Sequence, residues 1–106
     1  MSSTTSHIRV LDLGDMTVVG LVGDLVLETA LLADDEVQRA LERDSTVIVL
    51  DCSLLSSLGQ DEVAVLARLG ESVHDNGGRL VIRQPNEPTR ALFEETEGLR
   101  DAEIES

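Results

Sequence analysis

The amino-acid sequence predicts one α/β domain whose elements follow the order β-β-α-β-α-β-α. The chain has 106 residues, which suits one domain and leaves no room for two. Near the start, an alternating segment and a β-branched apolar segment are joined by a turn signal, and two segments with a helical period flank the apolar run Val47–Leu50. Alternation of strands and helices after the first hairpin implies parallel strands connected by right-handed crossovers.

The first two predicted strands form a hairpin. Apolar and polar residues alternate over His7–Leu13, which is typical of an edge strand with one solvated face. Gly14 and Asp15 are turn residues, and the apolar, partly β-branched segment Met16–Val22 predicts the second strand. We expect that strand to end at Gly23–Asp24.

A helix and a buried strand are predicted next. Apolar residues recur with a helical period from Glu28 to Arg43, and those expected on the buried side are Ala30, Ala33, Val37, Ala40 and Leu41. Thr46–Leu50 predicts a short central strand, because a strand covered by helices is apolar throughout. The segment Asp51–Gly59, rich in serine and leucine, is predicted to be a loop.

The C-terminal half continues the alternation. Asp61–His74 predicts a second amphipathic helix, and Asp75–Gly78 ends it with a glycine available for a left-handed cap. Leu80–Ile82 predicts another buried strand, and Thr89–Thr96 predicts a third helix. The acidic tail Arg100–Ser106 has room for a short last strand.

Composition disfavours several classes of function. The net charge is -13, from 21 acidic residues against 8 basic ones that are all arginine, so phosphate backbones and anionic membranes would repel the chain. We therefore expect no nucleic-acid partner and no direct membrane insertion, and a basic protein partner is favoured. The single Cys52 cannot form an intrachain disulfide and fits a reducing cytoplasm. Residues 1–6 lack the features of a signal peptide and predict a disordered lead-in to one domain over residues 7–106.

No set of residues for catalysis or metal binding emerges from the sequence. His7 and His74 lie far apart, and neither has a partner at metal-ligand spacing. Cys52 follows a buried strand without a nearby histidine, which predicts a core residue rather than a nucleophile. Ser56 and Ser57 are flanked by leucines rather than by the glycines of a serine hydrolase, and phosphate-binding glycine motifs are absent. We expect a protein that is not an enzyme and holds no cofactor or metal.

Four short motifs follow one another along the chain: Gly23–Ala30, Val47–Ser53, Gly77–Ile82, and Thr89–Phe93 with the closing Gly98–Leu99. They look like the glycine-acid-leucine stretch, the strand ending in Asp-x-Ser, the Gly-Gly-x-Leu strand entry and the last helix of STAS domains. Over roughly residues 8–99 the chain resembles this family, which includes bacterial anti-sigma factor antagonists and the cytosolic ends of sulfate transporters. The resemblance implies a four- to five-stranded mixed β-sheet with helices packed mainly on one face.

The phosphorylation hallmark of that family is replaced in this sequence. Anti-sigma factor antagonists carry Asp-Ser-Ser-Gly at the start of the second main helix, where a partner kinase, itself the anti-sigma factor, phosphorylates the second serine. Counting eight residues on from Asp51 places this tetrapeptide on Gly59–Glu62, so Asp61 occupies the acceptor position. The resemblance implies a bacterial transcription regulator that binds an anti-sigma factor or a serine kinase and is not phosphorylated at the usual position.

Three interpretations of this position stay open. A helix N-terminus carries partial positive charge and unpaired amide donors, so Asp61 or Gln60 is able to cap the helix. Alternatively, Asp61 mimics a phosphoserine in part, since a carboxylate brings one charge where a phosphate brings nearly two. A displaced acceptor at Ser56 or Ser57 requires a gap in the alignment.

The sequence therefore predicts a non-catalytic regulatory module that binds a protein partner and resembles an anti-sigma factor antagonist. The alternative is a STAS accessory or scaffold subunit of a transporter or signalling complex. The residues predicted to contact the partner are Asp24, Ser53, Gln60, Asp61 and Glu62.

Overall fold

The structure, a computed structural model, describes residues 6–106. Within these residues five strands and three helices follow the order β-β-α-β-α-β-α-β, so the acidic tail does contain a short last strand. The bounds are β1 His7–Asp12, β2 Met16–Leu25, α1 Leu27–Glu42, β3 Val47–Leu58, α2 Gln60–Asp75, β4 Arg79–Arg83, α3 Glu87–Glu94 and β5 Glu103–Glu105.

The five strands form one mixed sheet in the order β1-β2-β3-β4-β5. β1 pairs with β2 in antiparallel orientation, and every later pair of neighbours is parallel. Because each helical connection steps to the next strand in the same direction, right-handed crossovers put all three helices on one face of the sheet. The architecture predicted from the sequence, a mixed sheet with helices on one face, is confirmed.

The core lies between the helices and the sheet. Val19, Leu50 and Ile82 are neighbours in register on three strands, point towards the helices and are fully buried. α1 contributes buried alanines that let its backbone lie close to the sheet, whereas Phe93 of α3 is the largest fully buried side chain. Each buried aliphatic side chain contributes about 1.5–3 kcal/mol. Because these side chains of each helix pack against the sheet, the opposite face of each helix is exposed to solvent.

β2 and β3 are longer than the sequence predicts. The expected end of β2 at Gly23–Asp24 and the expected loop Asp51–Gly59 are both wrong, because the two strands run side by side as far as the pair Leu25 and Leu58.

Irregular pairing explains why the sequence does not reveal this extension. Register shifts opposite Gly20–Val22 and Gly23–Asp24 place extra residues in β3, where the adjacent Ser53 and Leu54 are both exposed. Gly23 has a φ of 87°, a conformation that glycine adopts without strain. A bulged strand lacks the period of two by which strands are predicted from sequence.

The end of α2 confirms the predicted glycine stop. Asn76 is the C-cap, and Gly77 follows with a φ of 76°. The Gly77 amide donates to the His74 carbonyl, and the Gly78 amide donates to the Val73 carbonyl, both over 2.9 Å. This pair of bonds is a Schellman motif, which satisfies carbonyls that the helix end leaves free.

α3 begins two residues earlier than predicted. Asn86 is its N-cap, and the Asn86 side chain accepts a hydrogen bond of 3.0 Å from the Thr89 amide. Pro88 consequently lies inside the first turn rather than before it, where its missing amide hydrogen costs nothing.

Ser6, the last residue of the predicted lead-in, is buried. The Ser6 hydroxyl donates to Thr29 Oγ1 over 2.8 Å and accepts from the Val26 amide over 3.3 Å. Val26 is the N-cap of α1 and has no polar side chain of its own, so Ser6 ties the start of β1 to the start of α1. The predicted lead-in over residues 1–5 lies outside the described residues.

Two glycines allow α2 to pass close to the chain after α3. A Cβ atom at Gly70 would collide with the Gly98 carbonyl oxygen. Gly98 itself has a φ of 97°, and a Cβ atom there would lie 2.5 Å from the Ala67 carbonyl oxygen.

We expect Gly70→Ala to lower the free energy of unfolding by about 3 kcal/mol, because the backbone at Gly98 must move to accept the methyl group. Gly77→Ala is the control, since a Cβ atom there meets open space and only the positive φ is unfavourable. Its expected cost is about 1 kcal/mol. Urea denaturation measures both losses, and equal values would contradict the close contact.

Candidate partner-binding site

α1 and α2 begin side by side at one edge of the sheet. β2 and β3 are parallel neighbours that end at the paired residues Leu25 and Leu58. α1 starts at Leu27 and α2 starts at Gln60, each directly after its strand. This carboxyl-terminal edge of the two strands therefore brings two helix N-termini together, and with them two sources of partial positive charge.

Asp24 lies at this edge and is bonded across the two strands. The Ser57 hydroxyl donates a hydrogen bond of 2.8 Å to Asp24 Oδ1, and both residues are exposed. The sequence singles out Asp24 but does not indicate Ser57 as its partner, because Ser57 was expected in a loop. Only the register of β2 against β3, which pairs Asp24 with Ser57, links the two residues.

The first turn of α2 is capped by Glu62. Gly59 is the N-cap, and its amide donates a hydrogen bond of 2.8 Å to Glu62 Oε1 at the third helical position. Glycine has no side chain to return the bond, so this is one half of a capping box. The expectation that Asp61 or Gln60 caps the helix is wrong, since no side chain accepts from the helix amides there.

Asp61 is the exposed carboxylate of this turn. It lies at the second helical position, and its carboxylate makes no hydrogen bond or ion pair with any of residues 6–106. The partial positive charge at the N-terminus of α2 lies beside this acidic side chain, an arrangement that stabilises a helix. Asp61 is therefore free to interact with a ligand or partner, whereas Glu62 is committed to its own helix.

Ser53 lies apart from the other predicted contact residues. It points to the face of the sheet that carries no helix, where it lines a groove of about 270 Å³ together with Arg9 and Gly20. The extended chain from Ser53 to Gly59 covers about 20 Å at roughly 3.3 Å per residue. Asp24, Gln60, Asp61 and Glu62 are thus brought to one edge, and Ser53 is not.

Exposed apolar residues lie beside the acidic ones at this edge. Val26, Leu27 and Leu31 are 42%, 43% and 43% exposed at the start of α1. The exposure of Leu31 is predictable from the sequence, because this residue falls outside the predicted buried stripe of the helix. An apolar surface with a polar rim is typical of protein interfaces.

Cys52 is a core residue, as expected. Burial, with a smaller contribution from the neighbouring Asp51 carboxylate, raises the pKa of the Cys52 thiol to about 12. A thiol that stays protonated near neutral pH is a poor nucleophile.

Within residues 6–106, no three His, Cys, Asp or Glu side chains are grouped so that they could hold a metal ion. None of the helices in this range is both long enough and apolar enough to span a bilayer.

Comparison with known proteins identifies the family. A family model described as "Mlab, STAS domain" matches residues 8–98, which is most of the chain. The chain belongs to the STAS domain family. The resemblance carried by the four sequence motifs is thereby confirmed. No curated protein matches the sequence.

Solved structures of the same fold include regulators and a transporter. The anti-sigma factor antagonist SpoIIAA in its unphosphorylated form has a TM-score of 0.78 and 15% identity, covering 93% of this chain and 87% of that chain. An anti-sigma factor antagonist from Mycobacterium paratuberculosis has a TM-score of 0.75 and 18% identity, covering 98% and 88%. The murine anion transporter Slc26a9 has a TM-score of 0.69 and 12% identity, covering 97% of this chain but 21% of that chain. At these identities the similarity concerns the fold.

From the spacing of the sequence motifs, we expect Gly59–Glu62 to occupy the position of the family's Asp-Ser-Ser-Gly hallmark. The family's hallmark begins with aspartate and ends with glycine, whereas this chain begins with Gly59 and ends with Glu62. A Cβ atom at Gly59 would lie 2.8 Å from Glu62 Oε1. An aspartate at position 59 and the observed position of the Glu62 side chain therefore exclude each other.

We expect Glu62→Ala to lower the free energy of unfolding by about 1 kcal/mol, because the Gly59 amide loses its acceptor. Asp61→Ala removes the same charge from the same turn without breaking a hydrogen bond and is expected to cost about 0.3 kcal/mol. Thermal or urea unfolding of the two variants tests the difference. Equal costs would mean that charge alone, and not the cap, stabilises the turn.

We expect the Cys52 thiol to react with a thiol reagent at pH 8 at least about a hundredfold more slowly in the folded chain than in urea, because its pKa is raised and access is blocked. The control is the Cys52→Ala, Ser53→Cys double variant, whose thiol is exposed one residue further on. Fast native labelling of Cys52 would show that this part of β3 opens readily.

Proposed function

We propose that this chain is a non-catalytic regulatory module that binds a protein partner, as an anti-sigma factor antagonist does. The proposed contact surface is the edge where α1 and α2 begin, with Asp24, Gln60, Asp61 and Glu62. The observation that carries the proposal is the exposed Asp61 carboxylate, which makes no hydrogen bond or ion pair with residues 6–106. We assign this residue to the family's phospho-acceptor position.

Asp61 gives this edge a fixed negative charge in place of a regulated one. A carboxylate supplies one charge and two acceptor oxygens, whereas a phosphoserine supplies nearly two charges and three acceptors. In this proposal the chain permanently resembles, in part, the phosphorylated form of a STAS regulator. Its partner binding does not depend on a kinase acting at position 61.

The chemistry of the edge favours a partner with apolar and basic groups. Val26, Leu27 and Leu31 supply exposed apolar area, and Asp24 and Asp61 supply negative charge beside it. The net charge of -13 adds long-range attraction for a basic surface, which speeds association. An anti-sigma factor or a serine kinase with a basic docking surface fits this description.

The positions of Ser56 and Ser57 support the absence of a displaced phosphorylation site. Both serines lie within β3, which is hydrogen-bonded to β2 up to Leu58. The Ser57 hydroxyl also donates a hydrogen bond to Asp24. Phosphorylation of Ser57 would break that bond. Incorporation of labelled phosphate at either serine by the cognate kinase would contradict this part of the proposal.

We expect Asp61→Ser to bind the partner about tenfold more weakly, which corresponds to about 1.4 kcal/mol, because the basic docking surface loses the carboxylate that attracts it. The partner is first obtained by affinity purification with the wild-type chain and identified by mass spectrometry. Isothermal titration calorimetry then compares the affinities. If the partner is a kinase, labelled phosphate is expected at position 61 of this variant and not in the wild-type chain.

Asp75→Ser is the matched control for this experiment. It removes the same charge from the opposite end of α2, where the residue is also exposed. The control is expected to keep wild-type affinity. Equal affinity of wild-type chain, Asp61→Ser and Asp75→Ser would overturn the assigned role of Asp61.

A second candidate function is an accessory or scaffold subunit of a transporter. It is supported by the similarity to Slc26a9, of which a stretch comparable to this whole chain forms about a fifth. The two functions predict different partners. Co-purification with a permease favours the second, and co-purification with an anti-sigma factor favours the first.

A further inference from the structure

Gly20 in β2 is the one glycine among residues 6–106 that neither a backbone angle nor close packing requires. A Cβ atom there would make only ordinary contacts, the closest of them 3.7 Å from atoms of Arg9, and the φ angle is not positive. The bulge that follows Gly20 places its extra residue in β3 rather than in β2. The other glycines either have a positive φ angle or would crowd a Cβ atom: Gly14, Gly23, Gly59, Gly70, Gly77, Gly78 and Gly98.

The missing side chain at Gly20 leaves a groove on the face of the sheet that carries no helix. The groove has a volume of about 270 Å³. Leu11 and Val18 border it on one side of Gly20, and Val22 and Leu54 border it on the other. A mostly apolar lining is typical of small-molecule sites, and a glycine inside a strand is often found where a ligand comes close to the backbone.

Two opposite charges lie on the two sides of this groove. Arg9 of β1 and Asp51 of β3 both line it, and both are register partners of Gly20, so their Cα atoms are about 10 Å apart. Neither side chain forms an ion pair with any of residues 6–106. Arg83, the register partner of Asp51 on β4, is paired with Glu105 over 3.1 Å. Both charges are therefore available to a molecule in the groove.

The charges that line the groove select the class of ligand. Of the residues that the structure describes, only Arg9 and Asp51 bring a charge to its lining. Asp24 lies about 13 Å further along β2 than Gly20 and accepts a hydrogen bond from Ser57. The net charge of -13 repels a simple anion, and a simple cation would leave Arg9 without a counter-charge. A molecule with one charge of each sign matches both side chains.

We propose that this groove binds a small zwitterion, with its carboxylate on Arg9, its ammonium group on Asp51 and an aliphatic body over Gly20. The planar guanidinium of Arg9 suits a carboxylate, which it binds through two parallel hydrogen bonds. The Ser53 amide donates to Asp51 Oδ1 over 3.0 Å and so orients that carboxylate beside the groove. An amino acid whose amino group is at the far end of an aliphatic chain has this arrangement of groups.

The test is titration of the full, isotope-labelled chain with ε-aminocaproate, followed by amide chemical shifts in NMR spectra. The groove is small and open, so we expect a dissociation constant on the order of 1 mM and titrate from about 0.1 mM to about 20 mM. Saturable shifts are expected at Arg9, Gly20 and Asp51 and not at Asp61. Caproate and hexylamine each lack one of the two charged groups and are expected to bind at least about tenfold more weakly.

Gly20→Val fills the groove without straining the backbone, because a Cβ atom at this position meets only ordinary contacts. It is expected to weaken the binding of ε-aminocaproate at least about tenfold, with a circular dichroism spectrum like that of the wild type. If this variant does not fold, Gly20→Ala replaces it and narrows the groove by one methyl group.

Arg9→Gln and Asp51→Asn each remove one charge and are expected to weaken binding about tenfold. Arg100→Gln and Asp35→Asn are the matched controls, since they make the same changes of charge at exposed residues outside the sheet, and both are expected to bind as the wild type does. The proposal would be overturned by the absence of saturable shifts, by equal binding of caproate or hexylamine, or by unchanged affinity of Arg9→Gln and Asp51→Asn.

Discussion

The parallel pairing of β2 with β3 is the constraint on which the rest of the molecule depends. Because the two strands run in the same direction and end together at Leu25 and Leu58, the helices that follow them must begin side by side. That arrangement collects Asp24, Gln60, Asp61 and Glu62 at one edge without any direct bond between the two helix starts. The same pairing carries Gly20, whose missing side chain leaves room for the groove on the other face of the sheet.

The sequence predicts the order of elements and the buried helix stripes, because a period of 3.6 and a fully apolar strand survive in the residue pattern. It does not predict the course of Asp51–Leu58, since burial there follows a bulged register that only the neighbouring strand determines. The spacing from Asp51 to Gly59 locates the helix start correctly even though the intervening residues form a strand rather than a loop. Position along the chain was therefore predictable for Asp61, whereas the distance between Ser53 and Asp61 was not.

The start of α2 shows how a motif is replaced while its physical task is kept. A helix N-terminus needs acceptors for its free amides and gains from negative charge nearby. Glu62 supplies both from the third helical position, and Gly59 leaves the room that the glutamate oxygen requires. Gln60, Asp61 and Glu62 are all able to cap the helix by residue type. The direction of the Glu62 side chain decides which of them does so, and that direction cannot be predicted from the sequence. With the cap supplied by Glu62, Asp61 is released for contact with other molecules.

Ser53 and Asp61, predicted on one contact surface, lie in different elements, Ser53 in β3 and Asp61 in α2. Ser53 donates its amide hydrogen to Asp51 Oδ1 over 3.0 Å, and both residues line the groove on the sheet face that carries no helix. The edge with Asp61 lies at the ends of the same strands, about 20 Å further along the chain. A partner bound at that edge would therefore contact Asp61 without reaching Ser53.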